Sequence, residues 1–346
     1  MKKFRKTGTA FICMCIVICL ISEYEKISLE ISDALILWTK VLIPSLFPYL
    51  VLSGYLVSSG ALDIFSPLLK VICKIFNISK NCSEVYIVSL ISGYPCGAIC
   101  TNEMFSENAI SKNEAERLVC FTNNAGPLFL ISAVGTNMLS STKDGVALYL
   151  IQVLSAALIG VFIGLGKKEH TTSGTKFTKR AKPFTKCCED SINTMLKIGA
   201  FVVLCSIIGT ITIIFFEKLP FTKNSDISII RCLVYYILEI SNAMKYISDF
   251  GNSPIVFAFI CSSASWAGIC VILQIKGVLW EGFPPKKIIC SRFAQSFISF
   301  IMGFIYKSFS GYSFSFKNEN ITVFSLILCF IIFASLIFAK KKNYHF

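Results

Sequence analysis

Histidine is scarce in this chain, with only His170 and His345, and both fall in polar segments. No C-x-x-C pair occurs among its 16 cysteines, and neither H-E-x-x-H nor G-x-S-x-G appears. Those gaps remove the ligands and nucleophiles that thiolate metal sites, zinc hydrolases and serine hydrolases depend on. A phosphate-cradling glycine loop at a strand–helix junction is missing too. The chain is therefore expected to be no enzyme, with no metal and no cofactor. Charge is also thin: Asp, Glu, Lys and Arg make up 15% of residues, against about 25% in soluble domains.

Apolar length stands in place of charge. Hydrophobic residues make up 54% of the 346, mean hydropathy is +0.69, and the apolar residues form runs of about 20, the length that crosses a bilayer. The expected class is an all-α polytopic membrane protein. Cys13, Cys15, Cys19, Cys205, Cys261 and Cys329 lie inside those runs, where cysteine acts as a small hydrophobe.

The net charge of +13 is concentrated in three places. Lys2, Lys3, Arg5 and Lys6 open the chain; Lys167, Lys168, Lys176, Lys179, Arg180, Lys182 and Lys186 form a central loop; Lys340, Lys341 and Lys342 sit in the tail. Each cluster abuts an apolar run, as cytoplasmic loops do under the positive-inside bias, and the central one suits anionic lipid headgroups. A folded basic face with base-stacking aromatics is absent, so nucleic acid is not an expected partner. Lys2–Lys6 followed by Thr7–Ser22 has the layout of a secretory signal. Glu23, Tyr24, Glu25 and Lys26 supply no small-x-small cleavage site, so residues 1–26 are read as an uncleaved membrane helix.

Ile27–Lys40 is amphipathic and suits the interface, and Val41–Ser59 reads as a span. Asp63–Phe76 is short and amphipathic. Glu84–Thr101 is apolar but broken by Ser92-Gly93-Tyr94-Pro95-Cys96-Gly97-Ala98. A helix from Glu114 is interrupted at Thr122-Asn123-Asn124-Ala125-Gly126-Pro127 and resumes to Val134; Glu114, Glu116 and Arg117 are expected to be its solvated first turn. Val146–Leu165 is an unbroken span. After the basic loop, Met195–Phe216 spans, Ile227–Met244 is apolar with Arg231 and Glu239, and Pro254–Ile275 contains Ser262-Ser263-Ala264-Ser265-Trp266-Ala267-Gly268. Lys286–Tyr306 carries Arg292 and Gln295, and Ile321–Ala339 closes the chain.

The two sides of the basic loop overlay weakly. Ser92…Gly97 matches Ser263…Gly268, Cys120 matches Cys290, and Asp33 and Lys40 fall opposite Asp190 and Lys197. This divides the chain into a first repeat (27–166), a basic loop (167–189), and a second repeat with a C-terminal helix (190–346). Broken helices at corresponding positions of two halves are the sequence pointer to a transporter-like site. Proline and glycine free backbone groups that cannot face lipid and must be buried or line a wet cavity. Half-helix N-termini there suit an anion. Ser92, Gly93, Tyr94, Pro95, Gly97, Thr122, Asn123, Asn124, Gly126, Glu239, Asn242, Ser263 and Arg292 are the expected substrate-binding residues. Arg231 and Glu239, eight apart, would share a helix face, and Arg231 with Arg292 would welcome carboxylates. Lys197 and Arg292, near helix starts, also fit snorkelling to the interface.

Ile43-Pro44-Ser45-Leu46-Phe47-Pro48, Ser92-Gly93-Tyr94-Pro95-x-Gly97-Ala98, Ile110-Ser111-Lys112-x-Glu114-Ala115-Glu116-Arg117-Leu118 and Phe121-Thr122-Asn123-Asn124-x-Gly126-Pro127-Leu128-Phe129 resemble the YlbJ family of sporulation integral membrane proteins. Leu238-Glu239-Ile240-Ser241-Asn242 extends the resemblance into the second half. It implies the gate, or nucleoside recognition, superfamily, with inverted repeats and re-entrant hairpins similar to those of concentrative nucleoside transporters. It implies placement in the mother-cell-derived forespore membrane and movement of dipicolinic acid, a small aromatic dicarboxylate, toward the spore. A non-transporting scaffold or signalling component of spore maturation is the alternative. The side of the C-terminus, association into homo-oligomers and energy coupling stay open at this level.

Overall fold

A computed structural model describes residues 2–59, 61, 66–167, 182–219 and 227–310. The central part of the basic loop and the expected closing span Ile321–Ala339 lie outside the described residues. Among those described the chain is helical throughout, without a strand. Helices α1 (Lys2–Ser22), α2 (Tyr24–Leu37) and α3 (Ile43–Ser59) lead into a short α4 (Ser66–Phe76). Then come α5 (Lys80–Ser92), α6 (Cys96–Ser106), α7 (Lys112–Thr122), a π-helix over Phe129–Met138, and α8 (Thr142–Gly164). The second half holds α9 (Phe184–Glu217), α10 (Ile227–Leu238), α11 (Ile240–Ser248), α12 (Pro254–Trp266), α13 (Gly268–Lys276) and α14 (Pro285–Ser310).

Five helical segments are long and apolar enough to cross a membrane: Tyr24–Leu56, Thr142–Gly164, Phe184–Glu217, Pro254–Lys276 and Pro285–Ser310. The polarity of α14 shows what surrounds them. Its inner face carries Ser291, Arg292, Gln295, Ser296 and Ser299, all buried, whereas Phe293, Phe297 and Phe309 are 64–73% exposed. A helix in water would hide the phenylalanines; this one hides its polar residues, as lipid requires. The chain is a multi-pass membrane protein.

Several expectations change. Ile27–Lys40 and Val41–Ser59 are not a surface helix and a separate span but one 33-residue rod, Tyr24–Leu56, joined by a π-helical turn at Trp38–Leu42. That wider turn falls just before Pro44, which has no amide to give the α-helical ladder. Ile227–Met244 is not continuous, because it breaks at Glu239. Glu114 and Glu116 do not form a solvated turn, since they are 3% and 6% exposed. Glu114 accepts from the Ser79 amide at 2.5 Å, Glu116 pairs with Lys287 of α14, and Arg117 donates to the Asn77 carbonyl at 3.1 Å. The helix that follows the second-half break, α14, stays whole where α7 is interrupted, having no proline or glycine between Pro285 and Gly303.

Packing relies on small residues, the usual means of bringing membrane helices close. Helix α9 runs antiparallel to the α2–α3 rod: Lys26 meets Glu217 at 3.3 Å, Trp38 donates to the Met195 carbonyl at 3.0 Å, and Tyr55 packs on Phe184 with ring centres 5.9 Å apart. Outside the spans, Lys182 ties the end of α6 to the start of α9 through Glu103 at 2.7 Å and Asp190 at 3.5 Å. Burial pulls the Lys182 ammonium down, but the Glu103 bond and the Asp190 charge outweigh it and hold it above its ordinary value.

At Gly97 a Cβ would lie 2.4 Å from the Thr122 carbonyl oxygen, so α6 and α7 can approach only without a side chain there. Gly97→Ala is expected to cost about 1–3 kcal/mol through overpacking. Gly8→Ala, where a Cβ meets nothing within 4 Å, should leave the thermal unfolding of the detergent-solubilised protein unchanged.

Candidate functional site

Four helix breaks meet in the interior as two interlocked pairs. The first pair joins the α5–α6 break to the α7–π-helix break. Gly93 has φ 79°, a left-handed conformation natural to glycine, and a Cβ on it would lie 2.7 Å from the Gly126 amide. Tyr94 donates its amide to the Asn124 carbonyl at 2.8 Å. The Asn123 side chain works in both directions, accepting from the Ala98 amide at 2.8 Å and donating to the Val119 carbonyl at 2.9 Å. It thereby serves one orphan donor at the start of α6 and one orphan acceptor at the end of α7.

In the second pair the α10–α11 break meets the α12–α13 break. Glu239 is extended, with φ −150° and ψ 125°, and its carboxylate caps α11 by accepting from Ser241 N at 2.9 Å and Asn242 N at 2.8 Å. Ala267 and Gly268 have φ 66° and 77°. A Cβ on Gly268 would stand 2.8 Å from the Leu238 carbonyl oxygen and 3.0 Å from the Glu239 amide, so the two breaks touch backbone to backbone. Asn242 donates to Ser206 of α9 at 3.0 Å, and Trp266 reaches the Ile237 carbonyl at 3.4 Å.

The two long helices α8 and α14 each reach across to the other half's break. From α14, the Arg292 guanidinium donates to the Asn123 carbonyl, to Asn124 Oδ1 at 3.4 Å and to Gln295 Oε1 at 3.1 Å. Gln295 adds a bond to Asn124 Oδ1 at 2.9 Å. From α8, Gln152 donates to the Ala264 carbonyl, just before the α12 break, at 2.8 Å. Hydroxyls complete the seam: Ser155 with Ser299 at 2.7 Å, Ser265 with Ser299 at 2.5 Å, and Tyr236, Ser262 and Ser296 as a triangle of 2.7–3.0 Å.

Two charges sit in this interior without counter-ions. Arg292 and Glu239 are each 1% exposed, and among the described residues neither is in an ion pair. They do not pair with each other, although the Tyr94 hydroxyl is in electrostatic reach of both. Arg292 Nε, Gln152 Oε1 and Ser263 Oγ are buried with no hydrogen-bond partner among the described residues. The other guanidinium nitrogens of Arg292 are spent on Asn123, Asn124 and Gln295, all neutral acceptors, so its charge is solvated by amides and matched by no carboxylate at ion-pair distance among the described residues.

Of the expected site residues, Gly93, Tyr94, Gly97, Asn123, Asn124, Gly126 and Arg292 surround the first break pair, and Glu239, Asn242 and Ser263 the second. Pro95 precedes α6 as its capping residue. The Ser92 and Thr122 hydroxyls are spent on their own helices, at 2.9 and 2.8 Å. Arg231 is not at the centre. With the helix broken at Glu239, the two share no face, and Arg231 lies over the Tyr246 ring, 5.4 Å from its centre. Arg292 does not snorkel, whereas Lys197 is exposed. Gln152, Ser155, Ser299 and Tyr236 join the site without any sequence motif to mark them; for Gln152 the one signal is a lone amide in the middle of an apolar span.

Together these features define a polytopic α-helical membrane protein with a polar, charge-bearing interior at its helix breaks. Within that class the chain is similar to the sporulation integral membrane protein YlbJ of Bacillus subtilis (strain 168), with 25% identity over 340 residues, taking in 86% of this chain and 83% of that protein. That likeness supports membership of the YlbJ family, as the first-half motifs indicated. No family model matches the chain, and no solved structure matches it.

Asn123→Ala would leave the Ala98 amide and the Val119 carbonyl unpaired, each a buried loss of about 1–3 kcal/mol. The variant should unfold at a clearly lower temperature in detergent. Asn123→Asp, which keeps the acceptor for Ala98, should recover part of the difference.

Proposed function

We propose that this chain is a sporulation membrane protein that passes a small carboxylate anion across the forespore membrane, with dipicolinate as the cargo. The observation that carries the reading is Arg292: a guanidinium 1% exposed, held at a helix break by Asn123 and Asn124, without a carboxylate among the described residues. Broken helices around a buried binding site are how many transporters are built. The family resemblance supplies the direction, mother cell toward forespore, and an aromatic dicarboxylate suits a guanidinium flanked by amides. We read the two interlocked break pairs as counterparts in two inverted repeats, each long helix serving the other repeat's break; α14 then answers to α8, and not to α7 as the weak sequence overlay sets it.

A non-transporting scaffold of spore maturation is the second reading. It is favoured by how many freed backbone groups the protein's own side chains already satisfy, Asn123 above all.

Flux separates the two. In liposomes containing the purified full-length protein, dipicolinate should enter faster than in protein-free liposomes. Arg292→Met should slow it at least about thirtyfold, the cost of removing one partner from a buried charge pair being about 2–5 kcal/mol. Arg292→Lys should keep part of the rate. Wild-type protein that folds, inserts and passes no dipicolinate would establish the scaffold reading.

A further inference from the structure

The second charge at the breaks has the sign of the anion itself. Glu239 lies at the contact of the two second-half breaks, 1% exposed, with no ammonium or guanidinium at ion-pair distance among the described residues. Its two oxygens take amide protons from Ser241 and Asn242 at 2.9 and 2.8 Å. Those bonds orient the carboxylate but leave its charge in place. Ser263, whose carbonyl accepts from Ala267 at the same crossing, has a buried hydroxyl without a partner among the described residues. A lone carboxylate at this depth is expensive, and unwound backbone with a half-helix end beside it is where transporters hold a coupling cation or proton.

We infer that Glu239 binds the proton that travels with the anion, making this protein a proton–anion symporter. The inference rests on the anion-transport reading of the same interior. The groups that face Glu239 favour a proton over a metal ion. From α9 comes Cys205, from α13 Cys270, and from the α5–α6 break Tyr94, all in electrostatic reach. Arg292 stands beyond Tyr94. On α12, Cys261 lies against Gly303 instead, and the π-helix Phe129–Met138 contributes no titratable side chain. Thiols and a phenol make a poor oxygen cage for sodium, and no group of three His, Cys, Asp or Glu side chains that could hold a metal ion gathers among the described residues.

The coupling follows from charge. A dianion on Arg292 adds negative charge to the interior that Arg292 and Glu239 share through Tyr94, and like charges in one dry site disfavour joint ionisation. Glu239 therefore takes a proton from the entry side as the anion seats and returns it to water on the exit side. One O–H bond forms and breaks per cycle, and no other bond changes. Without the anion, the ionised carboxylate and the guanidinium sum to zero; with the dianion seated, protonation of Glu239 leaves one net negative charge in the site in place of two.

The test uses full-length protein in liposomes with the membrane potential clamped, dipicolinate as probe and a trapped pH dye. An inward proton gradient of about one pH unit should sustain about a tenfold accumulation for one proton per anion, with the lumen acidifying as the probe enters. Glu239→Gln should abolish both, and Glu239→Asp, which keeps a titratable group, should restore them. In wild-type protein dicyclohexylcarbodiimide, which attacks protonated buried carboxyls, should modify Glu239 and stop proton entry; this arm decides the assignment even if the glutamine variant fails to fold. Downhill probe flux without acidification, accumulation driven by sodium at equal pH, or carbodiimide inhibition with Glu239 unmodified would each overturn the inference while leaving anion transport standing. No probe flux at any pH would remove both.

Discussion

Everything in this interior answers to one constraint: a helix broken inside a membrane must have its freed amides and carbonyls satisfied by protein, because lipid offers nothing. Four breaks are satisfied here by pairing them. The Gly93 break is pressed against Gly126, and Gly268 against the Leu238–Glu239 peptide, so backbone meets backbone and two asparagines and a glutamate serve as caps. What the pairs do not satisfy within themselves, Gln152 and Arg292 reach from the opposite half. The glycines, the asparagines and the long helices are parts of one solution.

That solution also explains the separation of charge. Arg292 is drawn to the carbonyl end of a broken α7 and Glu239 to the amide end of α11, each matching the local helix dipole. Two opposite charges in one dry interior would ordinarily pair. Here each is held by a different break, with a tyrosine in electrostatic reach of both. The result is a polarised interior enclosed by helices that expose isoleucine, phenylalanine and leucine.

The sequence made the first break pair legible because Gly93, Pro95, Asn123, Asn124, Gly126 and Pro127 announce it in residue types that stop helices. The Glu239 break was hidden. Leu238-Glu239-Ile240 contains no proline or glycine, and the break exists because a carboxylate caps α11 and because Gly268 occupies the space beside it. Tertiary contact made that break, and local propensity carries no trace of such contact. Arg231 misled for the same reason, since spacing along an unbroken helix places it with Glu239 and the break releases it. Glu114 and Glu116 looked like a solvated turn because charge at a helix start usually is one; their partners, Ser79 and Lys287, lie 35 and 171 residues away.

The bond from Arg292 to the Asn123 carbonyl joins residues 169 apart, and that distance has a meaning in time. Ribosomes add about 5–20 residues each second, so the first break enters the membrane some ten to thirty seconds before the arginine that completes it is made. Through that interval the Asn123 carbonyl must be covered by water, by the insertion machinery or by a transient neighbour. The first half of this protein is thus born unfinished, and its assembly is set by the order of synthesis as much as by the final contacts.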